Sequence, residues 1–262
     1  MRATIPLALV FLVAPSIVSA QNRGDFRWEK TLSAGQLVRI QNVNGDVTVT
    51  PSSSGRVEIV GVHRGSSRYA DDITAEVHET SNGIIVCVVW KDSDDDCDED
   101  GYRSRGHDDN DRWNRGSMDL EVKLPSNLEV SAGSVSGSVS VVGAQGNVRA
   151  SSVSGDVRLE RIRARSLKAT SVSGQVTASI DALDGSGPLT FTSVSGDVTL
   201  ELPRNLDADL SMTSVSGHLD SDFQMTLGGR TSRRRLEAKI GRGGRDLDVT
   251  TVSGDVRLRM AK

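Results

Sequence analysis

An all-β chain built as a β-solenoid, or a closely related stacked β-roll, is the fold class that three observations predict. One short theme recurs: SVSGSV, SVSGDV, SVSGQV, SVSGDV, SVSGHL and TVSGDV run from Ser134 to Val256. Apolar and polar residues alternate around each copy, the period-2 mark of a strand with one buried face. The glycines at 137, 155, 174, 196 and 217 recur roughly every twenty residues. A unit of that length cannot bury its own apolar face, so the copies must stack on one another. An antiparallel sandwich is the competing arrangement, because turn signals every ~8–12 residues fit it too.

Composition agrees with a strand-rich body. Apolar residues make up 36% of the chain but aromatics only 3%, so the core must be built from Val, Leu, Ala and Ile. The 26 glycines call for many tight turns. No helix longer than a turn or two is expected after residue 20. The net charge of −4, one unit more negative once Arg2 is removed, does not select a partner.

Residues 1–20 read as a secretory signal peptide. Arg2 is their only charge, Ile5 to Val18 is nearly all apolar, and Val18-Ser19-Ala20 suits a signal peptidase. The apolar run falls short of the ~20 residues a membrane span needs, and Pro6 and Pro15 interrupt it. No cysteine stands at the cleavage point to carry a lipid. The mature chain is therefore expected to be exported, to the periplasm, the cell surface or the medium, without a transmembrane segment.

Residues 21–126 form an N-terminal β region that covers one end of the stack. It holds an early copy of the theme, Val38-x-Ile40-x-x-Val43-Asn44-Gly45-Asp46-Val47, and the strand-like runs RVEIVGVH, DITAEVHE, GIIVCVVW and MDLEVKL. An acidic loop spans residues 92–116. Cys87 and Cys97 flank its start, and an even count in an exported chain favours a disulfide, with two free thiols as the alternative.

Residues 127–262 are the repeat array. Aligned on the glycine, three columns are apolar throughout: Val130, Val148, Leu167, Leu189, Leu210 and Leu247; Ala132, Ala150, Ala169, Phe191, Met212 and Val249; Val139, Val157, Val176, Val198, Leu219 and Val256. Leu167 and Ala169 share one phase, whereas Val172, Gly174 and Val176 share the other. The slip is expected at the Ser/Thr pair as a corner or bulge, with Val172 and the glycine inward. The glycine is then required by close backbone approach or by positive φ, not by a ligand. Leu236-x-Ala238 followed by IGRGG reads as a degenerate copy.

The SVSGDV array, the early NVNGDV copy, the IxVCxxW segment with a second cysteine downstream and the closing LDVTTVSGDVRL resemble the DUF4097 family, also labelled adhesins or β-strand repeat proteins. The resemblance runs from about Phe26 to Leu258. It implies the β-repeat fold and a place in the bacterial envelope or on its surface, without a defined catalytic site. The acidic loop and the basic run near residue 233 do not follow from it.

Candidate chemistry is sparse. The serines before the glycines (Ser136, Ser154, Ser173, Ser195, Ser216, Ser253) lack the oriented base a nucleophile needs, and read as corner residues bonding local backbone. The residues after the glycines (Ser138, Asp156, Gln175, Asp197, His218, Asp255) make a polar column with no carboxylates in consecutive copies, as like-charge avoidance predicts. Asp96, Asp98 and Asp100, with Gly101, reproduce the first half of a calcium loop, but His107 stands where the bidentate Glu belongs. This is a weak calcium-like metal site at most. Arg233, Arg234 and Arg235 are the densest part of a basic run reaching Arg245, suited to an anionic envelope polymer, an envelope protein or the chain's own acidic loop.

Nucleic acid is not an expected partner, since no aromatics interleave with the bases. No cofactor is expected. The function that follows is an exported, non-enzymatic envelope scaffold that presents a surface to a partner. The alternative is a polysaccharide-active lyase or hydrolase on a β-helix.

Overall fold

The computed structural model describes residues 26–64, 73–90, 96–98, 101–103, 116–228 and 231–261. The expected leader, most of the acidic loop and Arg230 lie outside them. Every regular element among the described residues is a strand. The N-terminal region supplies β1 (Phe26–Lys30), β2 (Leu37–Asn44), β3 (Val47–Pro51), β4 (Val57–Arg64), β5 (Ile73–Thr80), β6 (Gly83–Trp90), β7 (Asp96–Asp98), β8 (Gly101–Arg103) and β9 (Ser117–Leu124). The array begins with β10 (Glu129–Ser136), β11 (Val139–Val142), β12 (Gln145–Ser152), β13 (Val157–Ser173), β14 (Val176–Leu183), β15 (Leu189–Ser195) and β16 (Val198–Leu202). It ends with β17 (Ala208–Ser216), β18 (Leu219–Ser221), β19 (Met225–Leu227), β20 (Arg235–Ile240), β21 (Asp246–Ser253) and β22 (Val256–Met260).

Twenty of these strands join in one mixed sheet, which folds back on itself around a single core; β7 and β8 pair separately. One side runs β6–β2–β10–β12–β13–β15–β21–β17, all parallel, with one register shift between Gly146 and Asn147 where β12 meets β13. The other runs β9–β3–β11–β13–β14–β16–β22–β18, also parallel. The 17-residue β13 serves both, its first half in one run and its second half in the other. Antiparallel strands close the ends: β5 on β6, β4 on β9 with β1 outside it, and β20 on β17.

The three apolar columns point into the core. Each member is buried except Leu219, which is half-exposed on the short edge strand β18. Burying a Val or Leu side chain contributes about 1.5–3 kcal/mol, so the repeated columns are the main source of stability. Strand β6 is apolar on both faces for a reason the topology supplies. Ile84, Val86 and Val88 enter the main core, while Ile85, Cys87 and Val89 pack with Cys97 and Tyr102 under the β7–β8 hairpin. Cys87 and Cys97 are joined by a disulfide.

Three expectations need correction. The parity does not slip at the Ser/Thr pair: Leu167, Ala169 and Ser171 all point inward, and Val172 is exposed. The inward phase resumes only at Val176, after the glycine. Strand β20, expected as a degenerate copy of the repeat, instead runs antiparallel to β17 and forms a hairpin-like cap with β19. Finally, spatial order departs from chain order, because β21 inserts between β15 and β17. The fifth copy has little apolar content after its glycine, which suits an edge, whereas the sixth contributes the fully buried Leu247, Val249, Val256 and Leu258.

Candidate functional site

Each corner is fixed by two hydrogen-bond ladders. The first uses the earlier hydroxyl of the motif. Ser134, Ser152, Ser171, Ser193, Thr251 and Ser214 are buried, and each donates to the carbonyl of the corner glycine on the neighbouring rung, at 2.7–2.9 Å. The glycines themselves nearly touch. A Cβ on Gly174 would lie 2.3 Å from the oxygen of Gly155, and one on Gly196 would lie 2.2 Å from that of Gly174. Close approach is therefore the reason for glycine at these two positions. The serines before the glycines, expected as the corner's bonding residues, are exposed instead.

The second ladder uses the residue after the glycine. The Asp119 carboxylate accepts the N–H of Asp46, whose carboxylate accepts that of Ser138. Asp156 accepts the N–H of Gln175, Asp197 that of Asp255, and Asp255 that of His218. The inserted copy makes Asp197 and Asp255 spatial neighbours, contrary to the expected avoidance of adjacent carboxylates. Arg257 resolves the repulsion by bridging both. The Asp255 N–H, and then Arg257, hold Asp197 below the ordinary carboxylate value. The N–H of His218, followed by Arg257, does the same for Asp255. This column is structural.

The basic run divides in the same way. Arg245 is buried and donates to the carbonyls of Arg165 and Gly187, and burial lowers its pKa. Arg242 pairs with Asp207, Lys239 with Asp209 and Arg235 with Glu237. Arg233 and Arg234 are exposed and carry no ion pair among the described residues. They flank β20 beyond β17, at the opposite end of the stack from the β7–β8 hairpin; the acidic loop, the intramolecular partner the sequence offers them, lies mostly outside the described residues. Of the calcium-like trio, Asp98 accepts the Gly101 N–H and pairs with Arg103. Asp100 and the Asp96 side chain lie outside the described residues.

What the corners leave open is an apolar ladder. Val135, Val153, Val172, Val194, Val252 and Val215 occupy successive rungs and are each 39–46% exposed. At about 4.8 Å per rung they form a stripe roughly 24 Å long. Beside it on the same outward face stand Ser151, Thr170, Thr192, Thr250 and Thr213 on successive rungs. The next outward column reads Arg149, Lys168, Thr190, Asp248 and Ser211. At the β2 end the stripe runs into a cleft of about 230 Å³ between Tyr102 of the hairpin and Val43, Val135 and Val153, floored by Gly133. The Gln41 side chain ties the hairpin there by accepting the Tyr102 N–H at 2.6 Å. The signal for this site was present in the sequence, since the same valine stands in every array copy; assigning it inward hid it.

The Toastrack DUF4097 family profile matches residues 127–259, and the chain belongs to that family. The chain is also similar to the solved structure of a "putative cell adhesion protein" from Clostridium sporogenes, at 9% identity and TM-score 0.50, over 90% of this chain and 100% of that one. A "putative adhesin" from Bacteroides fragilis aligns at 13% identity and TM-score 0.43, over 92% of this chain and 98% of that one. No curated protein matches the chain. At these identities the first likeness shows the fold.

Proposed function

We propose that the chain is an exported, non-enzymatic envelope protein, a β-solenoid scaffold that works by surface contact and offers its valine face to a protein partner. The observation that carries this reading is the ladder of six exposed valines. The matching Val43 of the early copy, beside the Tyr102 hairpin, is buried, yet the six array valines in succession stay in water. Contiguous apolar surface of this kind marks interaction sites. The signal-peptide pattern and the disulfide agree with life outside the cytoplasm, and likeness to a protein described as a cell adhesion protein agrees with a contact role.

A polysaccharide-active enzyme fits less well. A hydrolase needs one carboxyl kept protonated beside a second that is ionised, whereas Asp197 and Asp255 are both held ionised, by the N–H groups of Asp255 and His218 and then by Arg257.

The test is capture of envelope proteins by the exported chain and by a Val172→Glu/Val194→Glu variant. Captured proteins lost with the variant, at unchanged circular dichroism and melting temperature, support the reading. Capture that ignores the substitutions refutes it.

A further inference from the structure

We propose that the protein partner on the valine face is a second copy of this chain, bound as a two-fold dimer with the two stacks antiparallel. This rests on the reading of the valine face above and names its occupant. The axis lies in the interface, parallel to the strands, and passes between the rung of Val172 on β13 and the rung of Val194 on β15. Such an axis reverses the order of rungs while each column meets its own counterpart.

Three features converge on that one axis. The exposed valines lie three on each side of it, so Val172 meets Val194, Val153 meets Val252, and Val135 meets Val215 of the second copy. In the charged column the same operation sets Arg149 against Asp248 of the second copy, with Lys168 one rung away. None of these three exposed charges has an ion pair among the described residues of its own chain. On the opposite side of the fold, by contrast, Arg158, Arg257 and Arg259 are all paired. One column further out, Glu129 and Asp209 are already held by Asn147 and Lys239.

The ends agree as well. The hairpin carrying Asp98, whose carboxylate also meets Arg103 of the same hairpin, overhangs β2, the first rung of the face, and Arg233 and Arg234 flank β20, the last. Within one chain these ends are about 34 Å apart at about 4.8 Å per rung. The two-fold brings the acidic hairpin of each copy to the basic end of the other.

The repeat itself argues for this occupant. A strand lying along the stripe repeats every ~6.6 Å and falls out of step with rungs ~4.8 Å apart, whereas a second stack has the same spacing. Three columns about 6.6 Å apart over seven rung steps outline a face on the order of 700 Å² per copy, within the range of a standard interface. Self-complementarity of one patch is what an isologous contact requires.

The experiment is sedimentation velocity on the exported chain from about 0.1 to 100 μM. The expected result is a concentration-dependent dimer. Val172→Glu/Val194→Glu should leave only monomer with circular dichroism unchanged, since both positions are exposed. Arg149→Glu alone, or Asp248→Arg alone, should weaken the dimer about tenfold or more, and the two together should restore it to within about threefold. That rescue is specific to the antiparallel arrangement.

A chain that stays monomeric to about 100 μM overturns the dimer. If it still captures envelope proteins in a valine-dependent way, the valine-face reading survives and its occupant is a different protein; if it does not, both fall. A dimer that ignores the valine and charge substitutions lies elsewhere and also overturns the proposal, as does one lost with the valines but not rescued by the double reversal.

Discussion

Ser171 and Ser173 differ by two positions and by everything that matters to stability. The Ser171 hydroxyl is buried and donates to the Gly155 carbonyl at 2.8 Å, whereas Ser173 is exposed. Ser171→Ala is expected to cost about 1 kcal/mol in urea unfolding, and Ser173→Ala less than about 0.5 kcal/mol. The reverse order would refute the corner geometry. Both serines recur through the array, so recurrence alone could not separate them. The separating signal is Thr251, the one change in the first column, which keeps the hydroxyl and its bond to Gly196. The inward valines were easier to read, because period-2 alternation fixes them from both sides. Val198 is fully buried, and Val198→Asp is expected to lose more than about 3 kcal/mol. Val172 faces outward although a valine at a corner invites burial, and the chain does not say on which residue its parity breaks.

Strand order was less legible than strand existence. Copies that follow one another in the chain were read as neighbours in space, which holds from β10 to β15 and fails at β21. Short-range pattern records which face a residue takes; it does not record which of two equivalent rungs a returning strand joins. The consequence is chemical, because the insertion sets Asp197 beside Asp255 and makes Arg257 necessary. The two carboxylates have folded-state pKa values lowered from the ordinary 3.8. Their contribution to stability is thus fully present above the unfolded value, from about pH 5 upward, and is lost as pH falls through the depressed folded values. Arg257→Gln is expected to destabilise the protein at pH 7 and to differ less from the parent below about pH 3. A penalty that stays constant from pH 7 to pH 3 would show that Arg257 acts through packing alone. The hairpin makes a simpler element-scale expectation: unreduced, unfolded protein from the exported fraction should show no reactive thiol, since Cys87 and Cys97 are bridged.

At the scale of the whole molecule, the valine face joins an uncharged stripe to charged flanks. The β7–β8 hairpin with Asp98 marks the β6–β2 end and Arg233 with Arg234 the β20 end, Arg149 and Asp248 lie two columns out from the stripe, and the valines themselves carry no charge. Recognition along this face thus has a salt-insensitive valine stripe, with salt-sensitive contributions from the Arg149–Asp248 pairs beside it and from the ends. Exposed charges act over about 8 Å at physiological ionic strength, so the ends contribute only when an opposite charge is brought into contact. Arg235 is committed to Glu237 and adds little, but Arg233 and Arg234 are free to engage. Replacing both by Ser should leave the melting temperature within about 2 °C of the parent, because no ion pair is broken among the described residues. The dimer constant should rise severalfold at low salt, and its dependence on salt should flatten toward that of the valine and Arg149–Asp248 contacts alone. Titrating association between about 20 and 500 mM salt separates the two contributions. A double variant whose association weakens with salt as steeply as the parent would show that the basic end faces solvent in the dimer, against the antiparallel arrangement.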